Sequence, residues 1–510
     1  MEGETNMKAL NRTNFPEFAA EANNHQERVI QFGEGNFLRG FVDWMIHKAN
    51  NAGVFDGSVV VVQPIEHGLV NKLNEQDGLF TMITRGLVNG EEVVEEEVIT
   101  SISRGLLSVG EWDKVLECAA DPNIDILVSN TTEAGITYSA TDTLDQNPPF
   151  SFPGKVTAYL YHRFKAFNGA SDKGMLLLPC ELIDRNGDNL KAIVLRLAKE
   201  WNLGDDFINW VETANIFANT LVDRIVTGYP GAEESAKLCE RFGYKDDLIN
   251  TAEIFHLWVI EAPKGTEERF PLHKAGLQVK WVEDMTPYRT RKVRILNGAH
   301  TSTVGLAYLA GFDYVRPAVN DENVGAYLNS IIFDEIIPTC DMDLAELNEF
   351  ANQVIERFKN PFIQHRWLDI SLNSISKYNA RVLPSLLPYL EKGEEPALLT
   401  FSLAALISLY HGIQLTDEGL VCKRNDEEYL IRDDRGILEF FHALWQSAGD
   451  NYTAVAEQVL SNVDFWGTDL TKYDNFVKTV AKHLSIIATE GMEKALLNVM
   501  SGRKAHAKIY

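Results

Sequence analysis

The sequence predicts an α/β domain followed by a mainly α-helical one, and three observations carry the prediction. Short β-branched runs alternate with helical stretches through the first half. The first of these runs leads at once into Gly33-Glu34-Gly35. From about Lys292 onward, apolar residues recur at helical spacing and β-rich runs are few. Strands spaced by helices imply a parallel sheet with right-handed crossovers. A Gly-x-Gly turn between the first strand and its helix makes the α/β domain Rossmann-like, the architecture that binds dinucleotides. The boundary falls near Asp284-Met285-Thr286-Pro287, because proline disfavours helix at the residue before it. Two domains are therefore expected, 1–284 and 285–510.

Each element has its own reason. Arg28-Val29-Ile30-Gln31-Phe32 reads as the first strand and 37–50 as the helix after it. Ser58-Val59-Val60-Val61-Val62-Gln63 is a continuous apolar run, the pattern of a strand buried on both faces. Residues 80–99 differ. Asn89-Gly90 separates two alternating runs there, the strongest short-range hairpin signal, so a β-hairpin insertion is expected. Glu95-Glu96-Glu97 beyond it reads as a solvated face. Two further buried strands are expected over 124–129 and 174–179. In the second half, Leu296, Val304 and Leu306-Ala307 mark one helix. Leu344, Leu347, Ala351, Val354 and Phe358 mark another, at steps of three and four. Residues 398–410 and 483–500 read as two more.

Composition narrows the function classes. A length of 510 residues suggests roughly two to four domains. Hydrophobic residues at 45% and charged residues at 24% are ordinary for a globular protein and exclude disorder, collagen and coiled coil. The 73 acidic and 47 basic side chains leave a net charge of −26, which disfavours nucleic acid and membrane surfaces as partners. A local basic pocket can still take a small anion. Cys118, Cys180, Cys239, Cys340 and Cys422 are odd in number and lack close spacing, so neither a disulfide framework nor a thiolate zinc site is expected. Met1-Glu2-Gly3-Glu4-Thr5-Asn6-Met7 lacks the basic and apolar regions of a secretory signal, and no run approaches the length of a membrane-spanning helix. A cytoplasmic location is expected.

Two motifs carry chemistry. In Gly33-Glu34-Gly35-Asn36-Phe37-Leu38-Arg39, two glycines allow a tight turn and close approach to a pyrophosphate, whose charge a helix N-terminus stabilises. Leu38 occupies the third glycine position of the plain fingerprint. Gln63 stands where an acidic ribose partner is usual, with Glu66 three residues later, which leaves NADH and NADPH both open. A ligand-free β–α turn is the plainer reading of the motif, and a surface salt bridge that of Arg39. The second motif is Lys292-Val293-Arg294-Ile295-Leu296-Asn297-Gly298-Ala299-His300. On a regular helix Lys292, His300 and Asn297 fall at about 0°, 80° and 140°, together with Val293 and Leu296. Desolvation lowers a lysine's pKa, and such a lysine can take or return a hydroxyl proton near neutral pH. An amide beside it can donate to a carbonyl oxygen as charge develops there. Singly, Lys292 also suits a snorkelling surface position and His300 a satisfied core position.

The two motifs, in this order and at this separation, resemble those of the mannitol dehydrogenase family, the polyol-specific long-chain dehydrogenases. That family shows GxGxF-x-R early and K-x4-N-x2-H much later, matched here by Gly33, Gly35, Phe37, Arg39 and then Lys292, Asn297, His300. The resemblance extends over essentially the whole chain. It includes Asn130-Thr131-Thr132-Glu133-Ala134-Gly135, Val222-Asp223-Arg224-Ile225, and Asn360-Pro361 with Lys377 and Arg381 downstream. Within the family, the stretches 31–39, 130–138, 179–184 and 223–230 look like the branch that reduces tagaturonate; the mannitol and fructuronate branches usually carry His where Leu38 stands. One departure is Leu182, which aligns with a second oxyanion-holding Asn of the mannitol branch and cannot donate a hydrogen bond.

The resemblance implies NAD as cofactor and reversible, NADH-dependent reduction of tagaturonate to altronate in galacturonate breakdown. It implies a dinucleotide held by Ile30, Gln31, Phe32, Gly33, Glu34, Gly35, Asn36, Phe37, Leu38, Arg39 and Gly40, with Asn130 and Asp223. Lys292 would return the proton, Asn297 polarise the ketone and His300 orient a neighbouring hydroxyl. Asp223 would hold Lys292 or the ribose, or pair with Arg224. No metal is implied. The substrate carboxylate needs a cation. Lys377 and Arg381, four residues apart on an expected helix, are the candidates, and ordinary solvated surface is their plainer reading. The nearest rival is the same chemistry on fructuronate or a neutral ketose. A non-catalytic nucleotide-binding sensor is the rival from another class, and it would have no need of Lys292, Asn297 and His300 together.

Overall fold

The computed structural model describes residues 7–22, 25–131 and 135–501. Met1 to Asn6, and Thr132, Glu133 and Ala134 of the matching stretch above, lie outside the described residues. The chain divides into two units, 1–86 with 92–285, and 286–510 with 87–91.

Among the described residues the strands of the first unit, whose hairpin tip at 87–91 counts with the second, are β1 (Glu27–Phe32), β2 (Ser58–Gln63), β3 (Phe80–Val88), β4 (Glu91–Ile99), β5 (Ile102–Leu107), β6 (Ile126–Ser129), β7 (Leu176–Pro179), β8 (Ile216–Phe217), β9 (Asn219–Asp223), β10 (Val226–Gly228), β11 (Asn250–Ala252), β12 (Leu257–Glu261) and β13 (Val279–Val282). Six of them form one sheet in the order β5-β2-β1-β6-β7-β8, with every pairing parallel. Counted along the chain, that order is 3-2-1-4-5-6, the doubly wound arrangement of dinucleotide-binding folds. The apolar runs split as a two-sided strand requires. Val59, Val61, Ile126 and Val128 enter the core on one face with Phe41 and Trp258. Val60, Val62, Leu127 and Phe32 enter the other with Tyr159 and Leu190. A fully buried side chain of this size contributes about 1.5–3 kcal/mol, so register is fixed by both faces at once.

The hairpin forms where Asn89-Gly90 places it, with both residues at positive φ (54° and 82°), as a two-residue hairpin turn of type I′ requires. It is more than an excursion, however: β3 also pairs in parallel with β11, in a second sheet of order β10-β11-β3-β4. The acidic run on β4 divides. Glu95 and Glu96 are exposed, but Glu97 turns inward, accepts from Trp44 Nε1 at 2.9 Å and pairs with Lys48 Nζ at 2.7 Å. Burial acts to raise its pKa, yet the bonds from His47 and Lys48 outweigh that and hold it at about 2. A third sheet has the order β13-β12-β9.

The second unit is mainly helical. The helix Ala397–Leu409 is buried along nearly its whole length and packs on Gly298–Leu309. A Cβ at Gly305 would lie 2.6 Å from the carbonyl oxygen of Ala405, so the close crossing of these two helices requires glycine there. Leu344–Phe358 forms as its spacing predicts. The stretch expected as one helix over 483–500 is two, Phe476–Glu490 and Met492–Met500, broken at Gly491, which adopts φ 87°. A small antiparallel sheet of β14 (Gly412–Leu415), β15 (Leu420–Arg424) and β16 (Glu427–Ile431) was not expected. Among the described residues no helix is long and apolar enough to cross a membrane.

Candidate active site

In the first unit, a doubly wound sheet has its ligand crevice where the strand order reverses, outside the carboxyl ends of β1 and β6. Gly33 and Asn130 occupy those ends. Gly33 adopts φ +123°, and its N–H still donates to the Val62 carbonyl at 2.9 Å. A Cβ on Gly33 would meet the Asn130 carbonyl oxygen at 3.0 Å and Leu38 Cδ1 at 3.2 Å, so the turn is closed from both sides. Asn130 Nδ2 donates to the Cys180 carbonyl at 2.9 Å. Glu181, 2% exposed, accepts from Ser129 Oγ at 3.1 Å and from Thr131 N and Oγ1, both at 3.0 Å. Burial raises its pKa against these bonds. The ends of β1, β6 and β7 are thereby tied together. Gly35 is exposed, with nothing within 4 Å of where a side chain would begin. It precedes a helical run over 36–51, whose first amides lack intrahelical acceptors. An open glycine cradle ahead of a helix N-terminus fits a pyrophosphate. Gly33→Ala is expected to cost about 1–3 kcal/mol through its disallowed backbone and to weaken dinucleotide binding, readable as a lower Tm and a higher dissociation constant.

The other residues of that stretch divide into cradle and support. The Ile30, Phe32 and Leu38 side chains belong to the core. Gln31 Nε2 donates to the Gly33 carbonyl at 3.1 Å and to Asp43 Oδ2 at 3.0 Å, bracing the turn from beneath. Burial lifts the Asp43 carboxyl to about 7. The Phe37 ring stacks on Phe41 at 5.1 Å. Arg39 forms no surface salt bridge. It is 2% exposed and donates to the Glu34 carbonyl (3.2 Å), the Leu248 carbonyl (2.7 Å) and Asn36 Oδ1 (2.7 Å). Burial lowers its pKa to about 10. It holds the turn in shape through carbonyls on both sides of it. Gly40 is a packing glycine: a Cβ there would lie 2.9 Å from Asn250 Nδ2 and 3.0 Å from Val226 Cγ1. Its carbonyl accepts from Arg224 Nη1 at 2.7 Å. Arg224 also donates to the Glu253 carbonyl at 3.0 Å and stacks over Trp44 at 4.0 Å. Asp223 itself is buried at the end of β9, opposite Leu257. Gln63 is likewise spent: Nε2 donates to the carbonyls of Ile65 (2.8 Å) and Glu66 (3.2 Å), and Oε1 accepts from Val70 N at 3.0 Å. Leu182 is 62% exposed and offers no donor.

In the second unit, Lys292–Asn297 is a π-helical turn between Thr286–Arg291 and Gly298–Leu309. Hydrogen bonding from i to i+5 widens the turn, so the regular-helix angles for Lys292, Asn297 and His300 do not carry through it. Lys292 and Asn297 bound the turn and are half-buried. His300 is enclosed by rings: Phe358 stacks on it at 4.1 Å, and His365 (5.1 Å) and Trp367 (6.2 Å) stand edge-on. Its Nε2 is buried and has no hydrogen-bond partner within the chain. Burial holds its pKa well below the ordinary value, and His365, Arg357, Arg381 and Lys377 push it the same way. His300 is therefore a neutral imidazole with a ring nitrogen to offer to a ligand.

Lys377 and Arg381 lie on the helix Ser374–Arg381 and are half-buried rather than solvated surface. Lys377 Nζ donates to the Ile370 carbonyl at 3.0 Å, and Arg381 Nη1 reaches Thr301 Oγ1 at 3.4 Å. Gly298 admits this helix closely, with the Arg381 carbonyl oxygen 3.1 Å from where its Cβ would lie. Sequence reasoning missed Arg357, which adds a third cation near His300, and His365, whose pKa burial lowers; their only signal was proximity to Asn360-Pro361. No group of three or more His, Cys, Asp or Glu that could hold a metal occurs among the described residues.

Comparison with known proteins extends this picture. Residues 27–274 match a family model described as the mannitol dehydrogenase Rossmann domain, and residues 284–488 one described as the mannitol dehydrogenase C-terminal domain. Altronate oxidoreductase of Halalkalibacterium halodurans is 45% identical over 481 residues, 93% of each chain. Altronate oxidoreductase of Pectobacterium atrosepticum is 46% identical over 495 residues, 96% of this chain and 99% of that one. Among solved structures, a D-sorbitol dehydrogenase in substrate-free form superposes with a TM-score of 0.75 at 24% identity, covering 93% of this chain and 96% of that one. Mannitol 2-dehydrogenase of Pseudomonas fluorescens, in a ternary complex with NAD and D-mannitol, gives 0.67 at 22% identity, covering 97% of this chain and all of that one. These two show the same fold.

Proposed function

The chain belongs to the mannitol dehydrogenase family, and from that premise we propose that it interconverts D-tagaturonate and D-altronate with NADH and NAD as cofactor. The observation that carries the reading is full-length identity of 45–46% to relatives named altronate oxidoreductase. The cationic group around His300 supports it, because a sugar acid brings a carboxylate that a neutral polyol lacks. On this reading residues 1–284 bind the dinucleotide, residues 285–510 carry the catalytic side chains, and the enzyme works in the cytoplasm on a dissolved sugar acid.

The bound dinucleotide supplies a hydride to the ketone carbon. The chain's residues do the rest. The amides after Gly35 hold the pyrophosphate, with Asn130 facing them across the switch point and Arg39 and Gln31 fixing the turn. Lys292 gives its proton to the ketone oxygen during reduction and takes it back during oxidation. Asn297 donates to the same oxygen as negative charge builds there. His300 offers Nε2 to a neighbouring hydroxyl, which its neutral state permits. Lys377 and Arg381, with Arg357 near them, hold the carboxylate. NADH is favoured over NADPH because 64–69 contain Glu66 and neither Lys nor Arg, so a 2′-phosphate meets no cation in the loop after β2.

The test is consumption of NADH, and separately NADPH, with tagaturonate, fructuronate and fructose at equal concentration. Turnover confined to tagaturonate with NADH is the expected result. Preference for fructuronate or fructose moves the enzyme to another branch, and no turnover with any of them rejects the reading.

A further inference from the structure

A second polar cleft lies at the other end of the six-stranded sheet. It has a volume of ≈ 450 Å³ and is lined by Arg28, Arg163, Arg269, Asn123 and Asp125 among others. Arg28 sits at the start of β1, and Asp125 immediately precedes β6. Gly33 and Asn130 follow the far ends of the same strands, so this cleft is separate from the dinucleotide cradle.

Two guanidinium groups share one carboxylate there, and a third lines the same cleft. Arg28 Nη2 donates to Asp125 Oδ1 at 3.2 Å, and Arg269 Nη2 to Asp125 Oδ2 at 3.3 Å. Arg163 is 1% exposed, and its bonds go only to neutral carbonyls: Nε to Lys173 at 2.7 Å, Nη1 to Ala119 at 3.2 Å and Asp121 at 3.1 Å. Every hydrogen bond of Arg28 and Arg269 runs through Nη2. Among the described residues, their Nε and Nη1 groups, and Nη2 of Arg163, have no hydrogen-bond acceptor. Asp172 at the rim is held by Lys173 at 3.8 Å. The cleft is thus positive within a chain of net charge −26. Burial lowers the pKa of Arg163 and the neighbouring charge of Arg269 acts the same way, while Tyr159, Asp125 and Asp121 oppose them in part. A bound anion would relieve both.

We infer that this cleft binds a small oxyanion, a carboxylate or a phosphate group, on the spare N–H groups of Arg28, Arg163 and Arg269. The guanidinium fork matches the oxygens of either group, and the volume lies within the roughly 300–1,000 Å³ of small-molecule sites. The experiment is calorimetric titration of the full-length protein in chloride buffer with inorganic phosphate and, separately, with citrate. Arg28→Gln and Arg269→Gln are titrated beside it; both residues are partly exposed, and Arg163 is left intact.

Saturable binding of either probe is expected, weakened at least about tenfold in each variant, with kcat and KM for tagaturonate unchanged. Phosphate alone binding assigns a phosphorylated ligand, and citrate alone a carboxylated one. The inference is overturned if the wild-type protein gives no saturable heat, if both variants bind as the wild type does, or if Arg381→Ala abolishes the binding instead. That last outcome would place the anion in the catalytic site.

Discussion

Lys292→Ala is expected to lower kcat by about 10²–10⁴-fold in both directions while the dissociation constant for NADH stays within about twofold. That loss corresponds to about 3–5 kcal/mol of barrier. The reasoning is local. Lys292 opens the π turn that ends at Asn297, one turn before the enclosed His300. A proton must reach the ketone oxygen as the hydride reaches the carbon, and water is a poor and badly placed substitute. The dinucleotide cradle is built from residues of the first unit, so its affinity should not follow kcat. Lys292→Arg should rescue little, because a guanidinium keeps the charge but cannot release its proton. A kcat within threefold of wild type in Lys292→Ala would remove the lysine from the chemistry. A sensor, in contrast, would keep its affinity and have no turnover to lose.

The second large effect belongs to the carboxylate. Arg381→Ala is expected to lower kcat/KM for tagaturonate by about 30-fold or more, mostly through KM, since a close charge pair lost from a desolvated site costs about 2–5 kcal/mol. Lys377→Ala should act in the same direction but less strongly, because its ammonium is partly committed to the Ile370 carbonyl. Arg381→Lys should recover part of the loss, because it keeps the charge. An unchanged KM in both alanine variants would show that the carboxylate is held elsewhere. Burial lowers the pKa of both cations. An anion that neutralises them is thereby favoured.

Much of the fold was legible because one physical signal dominated each element. Val59 to Val62 are all buried, as a continuous β-branched run demands, and Asn89-Gly90 can take positive φ where few pairs can. What the sequence hid was of three kinds. The π turns at Arg39–Asp43 and Lys292–Asn297 are flanked by residues with α-helical backbone angles and continue helices on either side, so no local pattern marks them. The sheet of β14 to β16 is short, with Gln414, Lys423 and Glu428 on its strands, and lacks the apolar runs that announced β1 and β2. The split at Gly491 was overridden by apolar spacing that runs on through it.

The site was legible in part. Gly33, Gly35 and the Lys292-to-His300 spacing were visible because turns and helices bring near neighbours together. Arg357 and His365 reach His300 only through tertiary folding, and no local pattern records that. The surface salt bridge that was the plainer reading of Arg39 does not form, for the same reason. A charged residue in a turn looks solvated until Leu248, distant in sequence, folds over it and takes its hydrogen bond.

Hydride transfer to a keto sugar acid is the step that every proposed residue role serves. The most direct measurement is reduction of tagaturonate with NADH carrying deuterium at the transferable position of nicotinamide C4, followed by mass spectrometry of the product. Altronate one mass unit heavier, with the deuterium on the carbon that was the ketone, and the same product formed about 10²–10⁴-fold more slowly by Lys292→Ala, is the expected result. Unlabelled altronate, or NADH left unconsumed while tagaturonate is bound, would contradict it.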